Sequence, residues 1–188
     1  MSAQSVNLNC DICGFESSTR EVWGEFYYIN NHLKTPVNRA LGWCEQCSKF
    51  CPIEDFSNQI SICEEIDSLI KYFKNDYSQK SVLLIGKKLR EDRLFKLELI
   101  GVLNEQSKII SKRIGSEKCL NCGSTNVEIL ISDCLSRIDE RIRHSTGSIR
   151  TGYIHPNCGG EIIATPSPLH IQMEFTPRYY RSDGTRES

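Results

Sequence analysis

At 188 residues the chain can build one ordinary domain or two small ones sharing a core. Apolar residues make up 39%, which is thin for a globular interior, and 23 basic against 24 acidic residues leave a net charge of −1. That balance excludes a bulk electrostatic pull toward nucleic acid or an anionic membrane surface. No run approaches the roughly 20 apolar residues of a membrane helix.

Ten cysteines are many for this length. The start, Met-Ser-Ala-Gln-Ser-Val-Asn-Leu-Asn, has neither a basic opening nor a long apolar run, so it does not read as an export signal. Close cysteine pairs without such a signal point to thiolate metal ligands in a reducing, cytoplasmic setting rather than to disulfides.

Residues 1–52 read as a first metal unit. Cys10-Asp-Ile-Cys13-Gly14 and Cys44-Glu-Gln-Cys47 are C-x-x-C pairs with 30 residues between them. That is the spacing of a tetrahedral zinc site made from two knuckles. Glu21 to Ile29, rich in aromatic and β-branched residues, predicts a strand. Trp23, Phe26, Tyr27 and Tyr28 would lie on a sheet too thin to bury both faces. They are candidates for a protein-binding surface or for packing under helices. Asn30-Asn31 suggests a turn, and His32 to Leu41, broken by Pro36, a loop.

Residues 53–115 hold no paired ligands and predict a helical insert. Pro52, Glu54 and Asp55 suit a helix start. Ile62, Cys63, Ile66, Leu69, Ile70 and Phe73 recur at three- and four-residue steps, the apolar stripe of an amphipathic helix. Asn75, Asp76 and Ser78 should end it. A second helix is expected between Val82 and Arg113, although Gly86 and Gly101 weaken the case for an unbroken one. Ser81 to Gly86 could be a short strand instead. Cys63 reads as core. Cys51 is either a competing ligand or a packed thiol.

Residues 116–188 read as a second metal unit with a C-terminal strand and tail. Cys119-Leu-Asn-Cys122-Gly123 and His155-Pro-Asn-Cys158-Gly159 stand 32 residues apart. If His155 is not the fourth ligand, Cys134 is the alternative, and the spacing favours His155. Strands are expected over Val127 to Ser132, Arg150 to Ile154, Gly160 to Ala164 and Leu169 to Phe175. Pro166 and Pro168 should bend the chain between the last two. Leu135 to His144 suggests a short helix, and Arg181 to Ser188 a mobile tail. Each metal unit thus has C-x-x-C-G, a strand, an irregular connection and a Gly-aromatic pair, Gly42-Trp43 or Gly152-Tyr153, before its second knuckle. The pattern predicts a duplicated α+β arrangement with the helices between the copies.

These motifs resemble the zinc ribbon class, in which two knuckles at hairpin tips hold one zinc and a small sheet grows from them. The resemblance implies two zinc ions per chain. Cys10, Cys13, Cys44 and Cys47 would hold one, and Cys119, Cys122, His155 and Cys158 the other. It leaves function open, because such ribbons serve transcription factors, ribosomal proteins, enzymes and adaptors.

No G-x-S-x-G, phosphate-binding glycine loop or H-E-x-x-H is present. Glu64-Glu65 and Asp139-Glu140 are neighbours about 100° apart on helices, poor geometry for a paired acid and base. The leading expectation is therefore a non-catalytic zinc protein that binds a protein partner or regulates one. Arg137, Arg141, Arg143, His144 and Arg150, with Arg178, Arg181 and the rings of Tyr153, Tyr179 and Tyr180, support an alternative as a nucleic-acid adaptor. A metal-dependent hydrolase or a redox switch is the third reading.

Overall fold

The computed structural model describes residues 2–30, 33–78, 87–130, 147–172 and 175–187. The expected helix over Leu135 to His144, the expected strand over Ser81 to Gly86, and Cys134, Arg137, Arg141 and Arg143 lie outside these residues. The described chain is α+β, with ten strands and two helices. It forms two compact units, neither continuous in sequence. The first takes 1–25, 38–55 and 117–178; the second takes 26–37, 56–116 and 179–188.

The first unit is built from two sheets. One contains β1 (Ser2–Cys10), β2 (Glu16–Ser18), β8 (Ile149–Ile154) and β9 (Glu161–Gln172) in the order β2-β1-β9-β8. The other contains β5 (Arg39–Cys44), β6 (Lys49–Glu54) and β7 (Val127–Ile129) in the order β6-β5-β7. Val6, Leu8, Cys10, Ile162 and Ala164 from the first sheet meet Leu41, Trp43 and Phe50 from the second, and Leu130 just after β7, in one core cluster. Val6, Leu8 and Cys10 are spaced by two, so all three point to one face. The sequence reading missed this strand, whose alternation was its signal.

Several expectations change. Glu21 to Ile29 is not one strand. A 3-10 turn occupies Thr19–Val22, Gly24 takes φ 119°, and β3 begins only at Phe26. The expected loop from His32 to Leu41 contains β4 (Leu33–Pro36) and the start of β5. Pro52 lies inside β6 rather than at a helix start. β6 is an edge strand, where a residue without N–H is tolerated, and the Pro52 carbonyl accepts the Leu120 amide at 2.9 Å. The two C-terminal strands expected on either side of Pro166 and Pro168 are one strand, β9. Its register against β1 jumps from Val6↔Pro166 to Gln4↔His170, so the prolines fall at a bulge. The described pairing of β8 starts at Ile149↔Ala164, and just beyond it the hydroxyls of Ser148 and Thr165 lie 2.9 Å apart.

The second unit contains α1 (Gln59–Ser78), α2 (Lys87–Arg113) and the sheet β10-β3-β4, with β3 (Phe26–Asn30) and β10 (Arg178–Arg181). α1 runs past Asn75 and Asp76, and α2 continues through Gly101. Ile62, Leu103 and Ile110 pack with Phe56, flanked by Ile66, Leu69 and Leu99. Cys63 is not core. It lies exposed beside that seam, its Sγ 4.0 Å from Ser107 Oγ. Phe26 and Tyr28 are buried, so the expected aromatic surface shrinks to the half-buried Trp23 and Tyr27. Phe26 stacks on the fully buried Tyr180. The tail expected from Arg181 onward returns to β10, with Tyr180 bridging Arg186.

Candidate metal centres

Four knuckles end or begin strands of the first unit. Cys10 closes β1 and Cys13 follows in the turn to β2. His155 and Cys158 lie in the turn from β8 to β9. Antiparallel pairing of Cys10 with Ile162 brings these two turns to one end of the sheet. Cys44 closes β5, and Cys47 lies in the turn to β6. Cys119 bridges Ile53 of β6, and Cys122 precedes β7.

The strand pairing corrects the expected partnership of the knuckles. Cys10 and Cys13 meet His155 and Cys158, and Cys44 and Cys47 meet Cys119 and Cys122. All eight expected residues sit in clusters, but the first knuckle pairs with the fourth and the second with the third. In each cluster the donor atoms lie within 4.8 Å of one another. The duplicated unit of the sequence reading joins consecutive knuckles, whereas the sheets join nested ones.

In the outer cluster Cys10 Sγ lies 3.3 Å from Cys158 Sγ, and His155 Nδ1 lies 3.3 Å from Cys13 Sγ and 3.1 Å from Cys158 Sγ. In the inner cluster Cys44 Sγ is 3.5 Å from Cys122 Sγ, and Cys47 Sγ is 4.0 Å from Cys119 Sγ. A tetrahedron with Zn–S bonds of about 2.3 Å has sulfur–sulfur edges of about 3.8 Å. The observed separations bracket that edge and far exceed a disulfide bond of about 2.05 Å. The nine described cysteines are free thiols.

Local structure prepares these donors. Three knuckles are followed by a glycine with positive φ, Gly14 at 68°, Gly123 at 78° and Gly159 at 75°. In the fourth the same place is taken by Ser48 at φ 49°. This left-handed turn folds backbone N–H groups over the sulfurs. Ile12 N–H donates to Cys10 Sγ at 3.5 Å, and Gly160 N–H donates to Cys158 Sγ at 3.4 Å. Gly160 permits the close approach, since a Cβ there would stand 2.6 Å from Cys10 Sγ.

His155 is 2% exposed and stacks on Phe15 at 4.7 Å, with Trp43 edge-on at 5.0 Å. Its Nε2 is buried with no hydrogen-bond partner among the described residues, and its Nδ1 faces the sulfurs of Cys13 and Cys158. With the proton on Nε2 the ring would offer its Nδ1 lone pair to a metal, which suits a zinc donor set of three cysteines and one histidine. Residues Cys44, Cys47, Cys119 and Cys122 suit an all-cysteine set equally.

Burial raises the pKa of Cys44 and Cys47 above the usual thiol range, reinforced by their crowded sulfur neighbours. Cys119 goes the other way, to about 4, chiefly because the Cys51 thiol donates to it. Cys51, fully buried against Cys119, is held protonated by that same contact. It is thus a packed hydrogen-bond donor outside the ligand group. In the outer cluster burial opposes the Cys10 thiolate. The backbone amides of Cys13 and Ile12 and the thiols of Cys158 and Cys13 outweigh it and bring its pKa below the ordinary value.

The basic residues expected to meet nucleic acid are otherwise engaged where they are described. Arg150 Nη1 reaches the Glu161 carboxylate at 2.5 Å and Asp11 at 3.8 Å. Arg181 Nε lies 4.0 Å from Glu187. Tyr180 is buried, and the Tyr153 hydroxyl donates to Glu128 at 3.1 Å. Among the described residues no helix is long and apolar enough to cross a membrane. No protein-family model, curated protein or solved structure matches the chain.

Proposed function

We propose that this chain is a non-catalytic zinc-binding protein of the cytoplasm, whose two metal centres hold a recognition scaffold for a protein partner or for regulation. One observation carries the reading: each cluster gathers four protein donors within 4.8 Å. Four such donors complete a tetrahedral ion and leave no position for water or substrate. Zinc at these sites orders the turns at the ends of the two sheets and supplies cross-links to a molecule with a thin apolar interior. His155 fixes one corner through Nδ1, and the amides of Ile12 and Gly160 spread the charge of the coordinated sulfurs.

The test is metal content together with coordination. Purified protein should carry two zinc ions, and cobalt substitution should give the intense visible bands of tetrahedral thiolate sites. A water-coordinated ion, or a turnover lost on replacing one ligand in a chain that stays folded, overturns the reading.

A further inference from the structure

Five sulfurs, not four, gather at the inner centre. Lys49, Cys51 and Ile53 share one face of β6, and that face carries Cys51 and Ile53 into a buried cluster with Cys44 and Cys119. The strand is pinned beside the third knuckle. Ile53 bridges Cys119, and the Pro52 carbonyl accepts the Leu120 amide at 2.9 Å. Cys51 is thereby held against the ligand sulfurs, where its thiol reaches both Cys119 and Cys47. Four thiolates already complete a tetrahedral ion, so the fifth has no place in it while the other four are intact.

Its position says which ligand it can relieve. Cys47 and Cys119 form one edge of the tetrahedron, with sulfurs 4.0 Å apart, and Cys44 and Cys122 form the opposite edge at 3.5 Å. A sulfur that touches both ends of an edge already stands about 3.8 Å from each, the spacing that a ligand would have. A donor entering over one edge displaces a ligand from the opposite one. There Cys44 is fully buried at the end of β5, whereas Cys122 lies exposed in a turn. Cys122 is therefore the sulfur of that edge that an electrophile in solution reaches, and the one free to leave.

Resting on the four-donor reading of the centres above, we propose that Cys51 is a reserve ligand of the inner metal, taking the place of Cys122 when that exposed sulfur reacts with a soft electrophile. With an alkyl halide, the Cys122 sulfur forms a bond to carbon and halide leaves. Cys122 becomes a neutral thioether, a donor that suits softer ions than zinc. Its bond to the metal breaks, Cys51 Sγ gives its proton to solvent and forms the new one, and the count of four thiolates is restored. No electrons are gained or lost by the metal. The inner centre can in this way carry an adduct on Cys122 and keep its ion.

Loading the full chain with the NMR-active isotope of cadmium tests this, because the cadmium shift reports the number of sulfur ligands at each ion separately. The parent should give one resonance from four sulfurs and one from three sulfurs and a nitrogen. Cys122→Ala should keep the four-sulfur resonance. Adding Cys51→Ala to that variant should convert it to a three-sulfur resonance or abolish it. The outer-site resonance arises from the same unit and reports in each sample that the sheets remain paired. Iodoacetamide makes the same test without a mutation. Parent chain shown by peptide mapping to carry the adduct on Cys122 should retain its four-sulfur resonance. The proposal is overturned if Cys122→Ala shows only three sulfurs at the inner site, or if the four-sulfur resonance survives removal of Cys51 from that variant. It is also overturned if alkylation of Cys122 in the parent removes that resonance. A parent with no four-sulfur resonance at all would defeat the four-donor reading, and the proposal with it.

Discussion

Gly160 shows how tightly single residues govern the outer cluster. A methyl group there would lie 2.6 Å from Cys10 Sγ and 2.8 Å from the Asp11 carboxylate oxygen. Gly160→Ala should cost about 1–3 kcal/mol, as overpacking does, and lower metal content by one equivalent while sparing the inner cluster. Thermal melts and elemental analysis check both. Protons are the second lever. Cys44 and Cys47 have raised pKa values and hold their protons at neutral pH until a metal displaces them, whereas Cys119 does not. Loading the inner cluster should thus release at least the protons of Cys44 and Cys47, and its affinity should rise with pH by about two orders of magnitude per unit or more near neutrality. Calorimetry in buffers of different ionisation enthalpy measures the number released.

At the level of elements, the long excursion 56–116 leaves the first unit and re-enters it at one point. Glu54 N–H donates to the Lys118 carbonyl at 3.0 Å, and Lys118 N–H donates to the Glu54 carboxylate at 2.9 Å. Replacing 56–116 by a short Gly-Ser linker should therefore preserve two bound metals, read by the cobalt spectrum. Loss of the inner site would show that the helices help to close it. This economy of connection also explains what could be read from the sequence. The eight clustered residues were legible because each knuckle declares itself over five residues. Their partnership was not, because three of the four motifs have the same C-x-x-C or H-x-x-C frame with glycine next. Nothing in Cys10 to Gly14 distinguishes Cys44 from Cys158. That choice is made by β1 pairing with β9, and β1 itself was missed among polar residues. Pro52 and Pro166 misled for a related reason, since an edge and a bulge tolerate proline but neither is visible before the sheet is drawn. The stripe of α1 was legible as a period, yet its width was not. Cys63, at the border of that stripe, lies in solvent.

Over the whole molecule, both clusters belong to the first unit, and the apolar seam of the second unit contains no candidate ligand. A chelator should thus abolish the near-ultraviolet signal of the buried Trp43 while most helical ellipticity at 222 nm survives. Simultaneous loss of both signals would mean that the units do not melt separately. The nesting of the two closures has a temporal consequence. A ribosome delivers Cys10, Cys13, Cys44 and Cys47 long before their native complements. At about 5–20 residues per second, Cys119 trails Cys47 by several seconds and His155 trails Cys13 by about twice as long. Throughout that interval the two early thiol pairs have only each other, and an ion captured then would tie a misassembled isomer. Refolding begun with zinc already present should accordingly develop a slow ligand-exchange phase. Zinc added after the strands have paired should bind without it.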